Sequence, residues 1–260
     1  MPIPDHVGRL WRALDDRMGD VGPTWWGAVV TAPAFPAIWD ANYARIDGPA
    51  PDLRVRDVAD VLLPALDAVG TDVFHVVAFD PEGTTELLAE LSTLGHTLTW
   101  DAVMDRVGEP EIDPDTTDVE ELEPGGALFD RVHASMQLFG IDPPIATQLR
   151  KLEEASSSAI GKRWFGLRDS DGSVASLAAL VVLEGVGYLD NVVTFPEARG
   201  RGYASAITAR AIAEARTSGA EHIWLLAEPA NAPVLRLYER LGFREVGRLA
   251  ATRGRIDALV

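Results

Sequence analysis

One stretch, residues 188–204 (Tyr-Leu-Asp-Asn-Val-Val-Thr-Phe-Pro-Glu-Ala-Arg-Gly-Arg-Gly-Tyr-Ala), constrains the fold of this chain more than any other. An apolar run that reaches back to Val186 predicts a strand, and this strand must end before Pro196 because proline cannot donate to a sheet ladder. Apolar residues from Ala204 to Ala215 recur at helical spacing, and Gly219 is placed to end that helix. The sequence therefore predicts a strand, a glycine-rich loop and a helix.

The glycine-rich loop has the composition of an anion site. The first amide groups of a helix have no internal partner and carry the positive end of the helix dipole. Gly200 and Gly202 would let an anion approach these amides closely, and Arg199 and Arg201 add mobile positive charge. An ordinary turn with two solvated arginines is the alternative. A dinucleotide fingerprint fails because Ser205 stands where a third glycine is needed, and no Gly-Lys-Ser/Thr follows as a Walker loop requires.

A second element lies downstream, between residues 231 and 243. Asn231 suits an N-cap, Pro233 the first turn of a helix and Gly242 its carboxy-terminal stop. Asn231 and Tyr238 are seven residues apart, so they share one face of this helix.

With these two elements the sequence resembles the GNAT superfamily of acyl-CoA N-acyltransferases. The resemblance rests on Arg199-x-x-Gly202-x-Ala204 and on the helix with Tyr238 that follows an intervening strand. It implies an α+β fold, a twisted mixed sheet with helices on both faces. It also implies an enzyme that transfers an acetyl group from acetyl-CoA to a primary amine, on a small molecule or a peptide, through a tetrahedral intermediate. A non-catalytic acyl-CoA-binding regulatory module is the alternative.

The resemblance also implies roles for particular residues. Backbone groups of Val192, Val193 and Thr194 would bind the pantetheine arm, with one N–H facing the oxyanion. Tyr238 is the candidate acid for the departing thiolate, and Asn231 would hold the cofactor, cap its helix, or do both. The pyrophosphate would lie on Arg199, Gly200, Arg201, Gly202, Tyr203 and Ala204. No metal is expected.

Asp190 is the favoured general base, with a structural hydrogen bond as the alternative. A carboxylate in so apolar a run is unusual unless it is paired or lies at a site. Because successive strand residues alternate in direction, Asp190 and Asn191 are expected to point to opposite faces of the sheet.

Composition narrows the class of protein further. A net charge of −17 in 260 residues argues against nucleic acid as a partner, and the absence of cysteine excludes disulfides and thiolate chemistry. Ten basic and six acidic residues from Arg199 onward form a basic island that would attract an anionic cofactor. Neither a secretory signal nor a membrane span is recognised, so a cytoplasmic location is expected. Whether the protein forms a homodimer is left open.

Two domains in tandem are predicted. Residues 1–107 repeat the strand–helix–strand order of the carboxy-terminal part but lack both motifs, which suggests a degenerate GNAT-like copy that has lost acyl-CoA binding. Residues 108–118 contain five carboxylates and two prolines and have the composition of a linker. Residues 119–260 would be the catalytic domain. In the first part we expect strands at 25–31 and 38–46, and at the end of the chain separate strands at 243–249 and 252–259.

Overall fold

The computed structural model describes residues 1–259, which form two compact units. The first unit contains Met1–Val103 and the chain from Val246 onward, and the second contains Met104–Glu245. The predicted linker lies inside the second unit, where the N–H groups of Gly108 and Glu111 donate to the carbonyls of Gly242 and Arg240 at 2.9 and 2.8 Å. The division of the sequence at residues 108–118 stays a prediction.

Helices and strands follow one another along the whole chain. The first half contains α1 (Asp5–Met18), β1 (Asp20–Thr24), β2 (Gly27–Thr31), β3 (Tyr43–Ile46), α2 (Val55–Val69), β4 (Val73–Ala78), α3 (Thr85–Thr93) and β5 (Thr97–Arg106). The second half contains β6 (Glu120–Leu122), α4 (Gly126–Leu138), α5 (Pro143–Ala159), β7 (Arg163–Arg168), β8 (Val174–Leu183), β9 (Val186–Thr194), α6 (Tyr203–Thr217), β10 (His222–Ala227), α7 (Ala232–Arg240) and β11 (Phe243–Arg255). Among residues 1–259, no helix combines the length and the apolar character needed to cross a bilayer.

The same local arrangement occurs once in each unit. In the first unit the strands lie in the order β1-β2-β3-β4-β11, and α2 connects the parallel strands β3 and β4. In the second unit the order is β6-β7-β8-β9-β10, and α6 connects the parallel strands β9 and β10. Each unit is thus a mixed sheet with a strand–helix–parallel strand segment, as the predicted α+β fold requires.

Each unit has its own apolar core. In the first, α2 places Val58, Leu62 and Leu66 against the sheet, and all three are fully buried. Their spacing of four residues forms one stripe along the helix, and the apolar area removed from water drives this packing. In the second, Phe129 of α4 meets Trp164 of β7 edge to face at 6.4 Å.

Four predicted strands need correction. The strand expected at 25–31 is reduced to β2, because Trp25 and Trp26 form the turn of the hairpin between β1 and β2. The strand expected at 38–46 is reduced to β3, since the Asn42 side chain donates to the carbonyls of Phe35 and Ile38 and fixes the chain before it in a turn. The two strands expected after residue 243 are one, β11, because Ala250 and Ala251 pair with β4 without a break.

Candidate active site

The parallel strands β9 and β10 are paired along only part of their length. Their register runs from Val186 and His222 to Leu189 and Leu225, so residues 190–194 of β9 extend past it. The rings of Tyr188 and Trp224 stack at 4.3 Å just before the register ends. Beyond this point the edge of β9 offers backbone groups to an extended ligand.

A β-bulge interrupts β9 at the same point. Asp190 faces Ala179 of β8 and Val193 faces Leu177, so β9 has one more residue than β8 between these pairs. Asn191 lies in the bulge with φ of +50°, the left-handed region that asparagine tolerates better than most residues. The bulge breaks the alternation of the strand. The expectation that Asp190 and Asn191 point to opposite faces is therefore wrong, and the Nδ2 atom of Asn191 lies 3.3 Å from Oδ2 of Asp190.

Asp190, whose side chain is 30% exposed, forms a cluster of charges with the buried residues Glu153 and Lys162. The Nζ atom of Lys162 donates to Oε2 of Glu153 and to Oδ2 of Asp190, both at 2.6 Å. Burial on its own would lower the pKa of Lys162, but the charges of Asp190 and Glu153 outweigh it and raise that pKa. Lysine therefore remains charged, and the cluster has a net charge of −1 when both carboxylates are ionised.

Tyr238 lies on α7, whose start is fixed as the sequence predicts. The Oδ1 atom of Asn231 accepts from the backbone N–H of Val234, so Asn231 is the N-cap. The ring of Tyr238 is buried and meets Phe243 edge to face at 5.8 Å. Burial raises the pKa of the Tyr238 hydroxyl, and the charge of Asp190 raises it further. The hydroxyl is therefore protonated at neutral pH.

The glycine-rich loop leads into a helix whose first turn lacks a side-chain cap. Gly202 is the N-cap of α6 with φ of +82°, and Gly200 has φ of +78°. A Cβ atom at either position would meet nothing within 4 Å, so the backbone conformation, and not packing, favours glycine here. Residues 199–202 are exposed, and the amides that begin α6 at Tyr203 and Ala204 are available to an anion.

The two loop arginines differ from the expectation of mobile charge. Arg201 pairs with Asp169 at 3.0 Å and donates to the carbonyl of Glu197 at 3.2 Å. The Nε atom of Arg199 donates to the carbonyl of Thr194 at 3.2 Å. Both guanidinium groups are thus held by the loop and its neighbours. The adjacent carbonyl of β9, that of Val193, accepts from the Ser176 hydroxyl at 2.9 Å.

The corresponding helix start in the first unit is already occupied. At the start of α2, the N–H of Arg54 donates to Oδ2 of Asp57 at 3.0 Å, and the N–H of Val55 donates to Oε2 of Glu90 at 2.9 Å. These carboxylates take the place that an anionic ligand would need and would repel it. A helix N-terminus of this kind is a poor phosphate site.

Sequence reasoning missed Glu153 and Lys162. Glu153 lies on α5 among other polar residues, and Lys162 precedes β7, so neither has a local pattern that marks it. A lysine that is 6% exposed is unusual unless it is paired, but burial is evident only from the fold.

The structure thus has an uncapped helix start after a glycine-rich loop and an open edge on the preceding strand. These are the features that the resemblance to the N-acyltransferases implies for an acyl-CoA site. Residues 135–243 match the model of the acetyltransferase (GNAT) family. This part of the chain is thus similar to the GNAT acetyltransferases.

Two curated relatives are similar to different lengths of the chain. N-alpha-acetyltransferase MAK3 of Arabidopsis thaliana is 44% identical over 63 residues, which are 24% of this chain and 33% of the plant protein. The chain thus matches only about a third of that relative. Mycothiol acetyltransferase of Actinosynnema mirum is 26% identical over 223 residues, 78% of this chain and 72% of the relative.

Two solved structures share the fold over most of the chain. A GCN5-related N-acetyltransferase from Kribbella flavida, 16% identical, aligns with a TM-score of 0.68 and covers 97% of this chain and 96% of its own. A tandem GNAT protein from the clavulanic acid biosynthesis pathway, 13% identical, aligns with a TM-score of 0.53 and covers 82% of this chain and 74% of its own. The fold is thus that of a two-part GNAT protein, in agreement with the predicted fold class.

Proposed function

We propose that this protein transfers the acetyl group of acetyl-CoA directly to a primary amine, with Asp190 as the general base and Tyr238 as the general acid. The observation that carries the proposal is the position of these two groups. Asp190 lies where the pairing of β9 and β10 ends, and its charge acts on the Tyr238 hydroxyl. A candidate base thus lies at an open strand edge, and its charge reaches the hydroxyl of the candidate acid.

The cofactor would be held along the same strand and loop. Its pyrophosphate would accept hydrogen bonds from the amides at the start of α6, in the Arg199–Ala204 loop. The pantetheine arm would follow the edge of β9 at Val192, Val193 and Thr194. Because the carbonyls of Val193 and Thr194 already accept from Ser176 and Arg199, we place more weight on the backbone of Val192. Asn231 would act through the cap that fixes α7.

The reaction requires two proton transfers. Asp190 takes the proton that the amine loses as its nitrogen attacks the thioester carbonyl, directly or through a water molecule. A backbone N–H of the open edge stabilises the tetrahedral oxyanion. When the intermediate collapses, the carbon–sulfur bond breaks and the thiolate takes the proton of the Tyr238 hydroxyl.

The acceptor amine is identified by measuring acetyl-CoA turnover with a panel of amines. The panel contains polyamines, aminoglycosides, amino acids, peptides with free α-amino groups, and the unacetylated amine precursor of mycothiol, the last two because the chain is similar to an N-alpha-acetyltransferase and to a mycothiol acetyltransferase. We expect the protein to turn over with one class of amine, and the amount of free CoA released to equal the amount of acetyl-CoA consumed. Tight CoA binding with no turnover on any amine would contradict the proposal and favour a regulatory module.

Tyr238→Phe is expected to lower kcat about 100-fold, the range lost with one general acid–base group, and to leave the dissociation constant of CoA within about threefold. Phenylalanine keeps the buried ring against Phe243 and removes only the hydroxyl. Steady-state kinetics with calorimetry of CoA binding measure both quantities. An unchanged kcat would remove Tyr238 from the mechanism.

One CoA is expected to bind per chain. The start of α6 is free to receive a pyrophosphate, whereas Asp57 and Glu90 occupy the start of α2. Isothermal titration of CoA into the whole protein measures the stoichiometry, and Glu90→Gln serves as a control that should not create a second site. A stoichiometry of two would show that the first unit retains a cofactor site.

A further inference from the structure

We infer that Glu153 and Lys162 are positioning residues for acetyl transfer, because they hold Asn191 and Asp190 in the bulge of β9. This inference rests on the proposed function, since the bulge lies at the strand edge where the thioester would react. It adds two residues, on α5 and before β7, that lie outside both the cofactor loop and the strand.

The conformation of Asn191 needs external support. Its φ of +50° is a costly conformation for a residue with a side chain, although asparagine meets that cost better than most. The Nδ2 atom of Asn191 donates to Oε1 of Glu153 at 2.9 Å, and its backbone N–H donates to Oδ1 of Asp190 at 2.8 Å. Glu153 thus holds the side chain of Asn191, and Asp190 holds its backbone N–H.

Glu153 itself is fixed from two sides. It is buried on α5, its Oε2 atom accepts from Lys162 at 2.6 Å, and the Ser156 hydroxyl lies 3.4 Å from the same oxygen. Lys162 in turn donates to Oδ2 of Asp190 at 2.6 Å. Helix α5 and the start of β7 are therefore tied to β9 through one lysine.

An ionic cluster of this kind is better explained by geometry than by stability. Taking Lys162, Glu153 and much of Asp190 out of water costs about as much as their attraction returns, so an apolar core would be about as stable. The cluster instead fixes the position of Asp190 and of the bulged backbone at Asn191 and Val192. A displacement of about 1 Å in groups that orient a reaction can lower its rate about 100-fold.

The first test uses Glu153→Gln. Glu153 accepts from two donors through separate oxygens, Asn191 on Oε1 and Lys162 on Oε2, and glutamine offers only one acceptor. We expect kcat to fall about 30-fold with the KM for acetyl-CoA within about threefold. The control is Glu154→Gln, the next residue on α5, which pairs with Arg150 at 2.6 Å and should leave kcat unchanged.

The second test separates the effect of the backbone conformation at Asn191 from the effect of its side chain. Asn191→Ala loses the bond to Glu153 and disfavours positive φ, whereas glycine adopts positive φ freely. We expect the alanine variant to lose about 30-fold in kcat and the glycine variant to stay within about threefold of the wild type. Glu153→Gln combined with Asn191→Ala should lose less than the product of the two single losses, because both changes remove the Asn191–Glu153 contact.

Hydrogen exchange of the β9 amides at 190–194 gives a readout that does not need turnover. Faster exchange in Glu153→Gln, and not in Glu154→Gln, supports the inference even if no amine is acetylated by the wild type, a result that would contradict only the proposed function. Equal kcat in the alanine and glycine variants of Asn191, additive losses in the double variant, or unchanged exchange in Glu153→Gln would each overturn the positioning role.

Discussion

Gly202→Glu is expected to weaken CoA binding more than about 100-fold, because it removes the charge-assisted hydrogen bonds that the start of α6 would donate to a pyrophosphate. Gly202 caps α6 with φ of +82°, which a side chain adopts only with strain, and a carboxylate at this point would lie where the phosphates must lie. It would also repel them. Titration calorimetry with CoA measures the loss.

The matched control for this prediction lies at the other end of the same helix. Gly219 follows α6 with φ of +86°, and a Cβ atom there, as at Gly202, would meet nothing within 4 Å. Gly219→Glu therefore introduces the same charge with the same backbone strain, and we expect CoA affinity to stay within about threefold of the wild type, since a dipole effect is confined to its own end of the helix. Equal affinities in Gly202→Glu and in the wild type would remove the pyrophosphate assignment.

Asp190→Asn is expected to lower kcat at least about 100-fold, because asparagine has nearly the same shape as aspartate but cannot take the proton of the attacking amine. CoA affinity should stay within about threefold, since the phosphate loop and α6 are untouched. Lys162 would keep Glu153 as a partner, so the variant should fold with reduced stability. Steady-state kinetics, calorimetry with CoA and thermal unfolding together distinguish lost chemistry from lost structure.

A control for the charge change is Glu121, the partner of Arg163, which follows Lys162 in the sequence. Glu121 on β6 pairs with Arg163 at 2.7 Å and is exposed. Glu121→Gln removes one carboxylate from an ion pair of the same unit, and we expect kcat within about twofold of the wild type because exposed pairs contribute little. If Asp190→Asn retained wild-type kcat, Asp190 would be a structural residue and the base would have to be sought elsewhere.

The cofactor elements could be predicted because their signals are local. Gly200, Gly202, the cap at Asn231 and the apolar stripe of α6 each depend on residues within a few positions, and backbone conformation and helix termini follow from such short spacings. The strand ahead of the loop was predicted for the same reason. Helix α7 also begins where its cap requires.

The charged centre of the site could not be predicted in this way. Glu153, Lys162 and Asp190 come from three separate parts of the chain, and only the fold brings both carboxylates to 2.6 Å from the Nζ atom of Lys162. The bulge at Asn191 depends on the register of β8, so alternation along one strand gave the wrong faces for Asp190 and Asn191. Likewise, the unbroken β11 depends on its pairing with β4.

The sequence by itself determined the strand, loop and helix that suit a phosphate, because helix dipoles and glycine conformations act over a few residues. The tertiary structure alone decided which charges surround Asp190 and which helix start is blocked. Glu90 reaches the amide of Val55 from a distant part of the chain, and Lys162 reaches Asp190 in the same way. Pairings of this kind depend on distance in space, which a linear pattern does not contain.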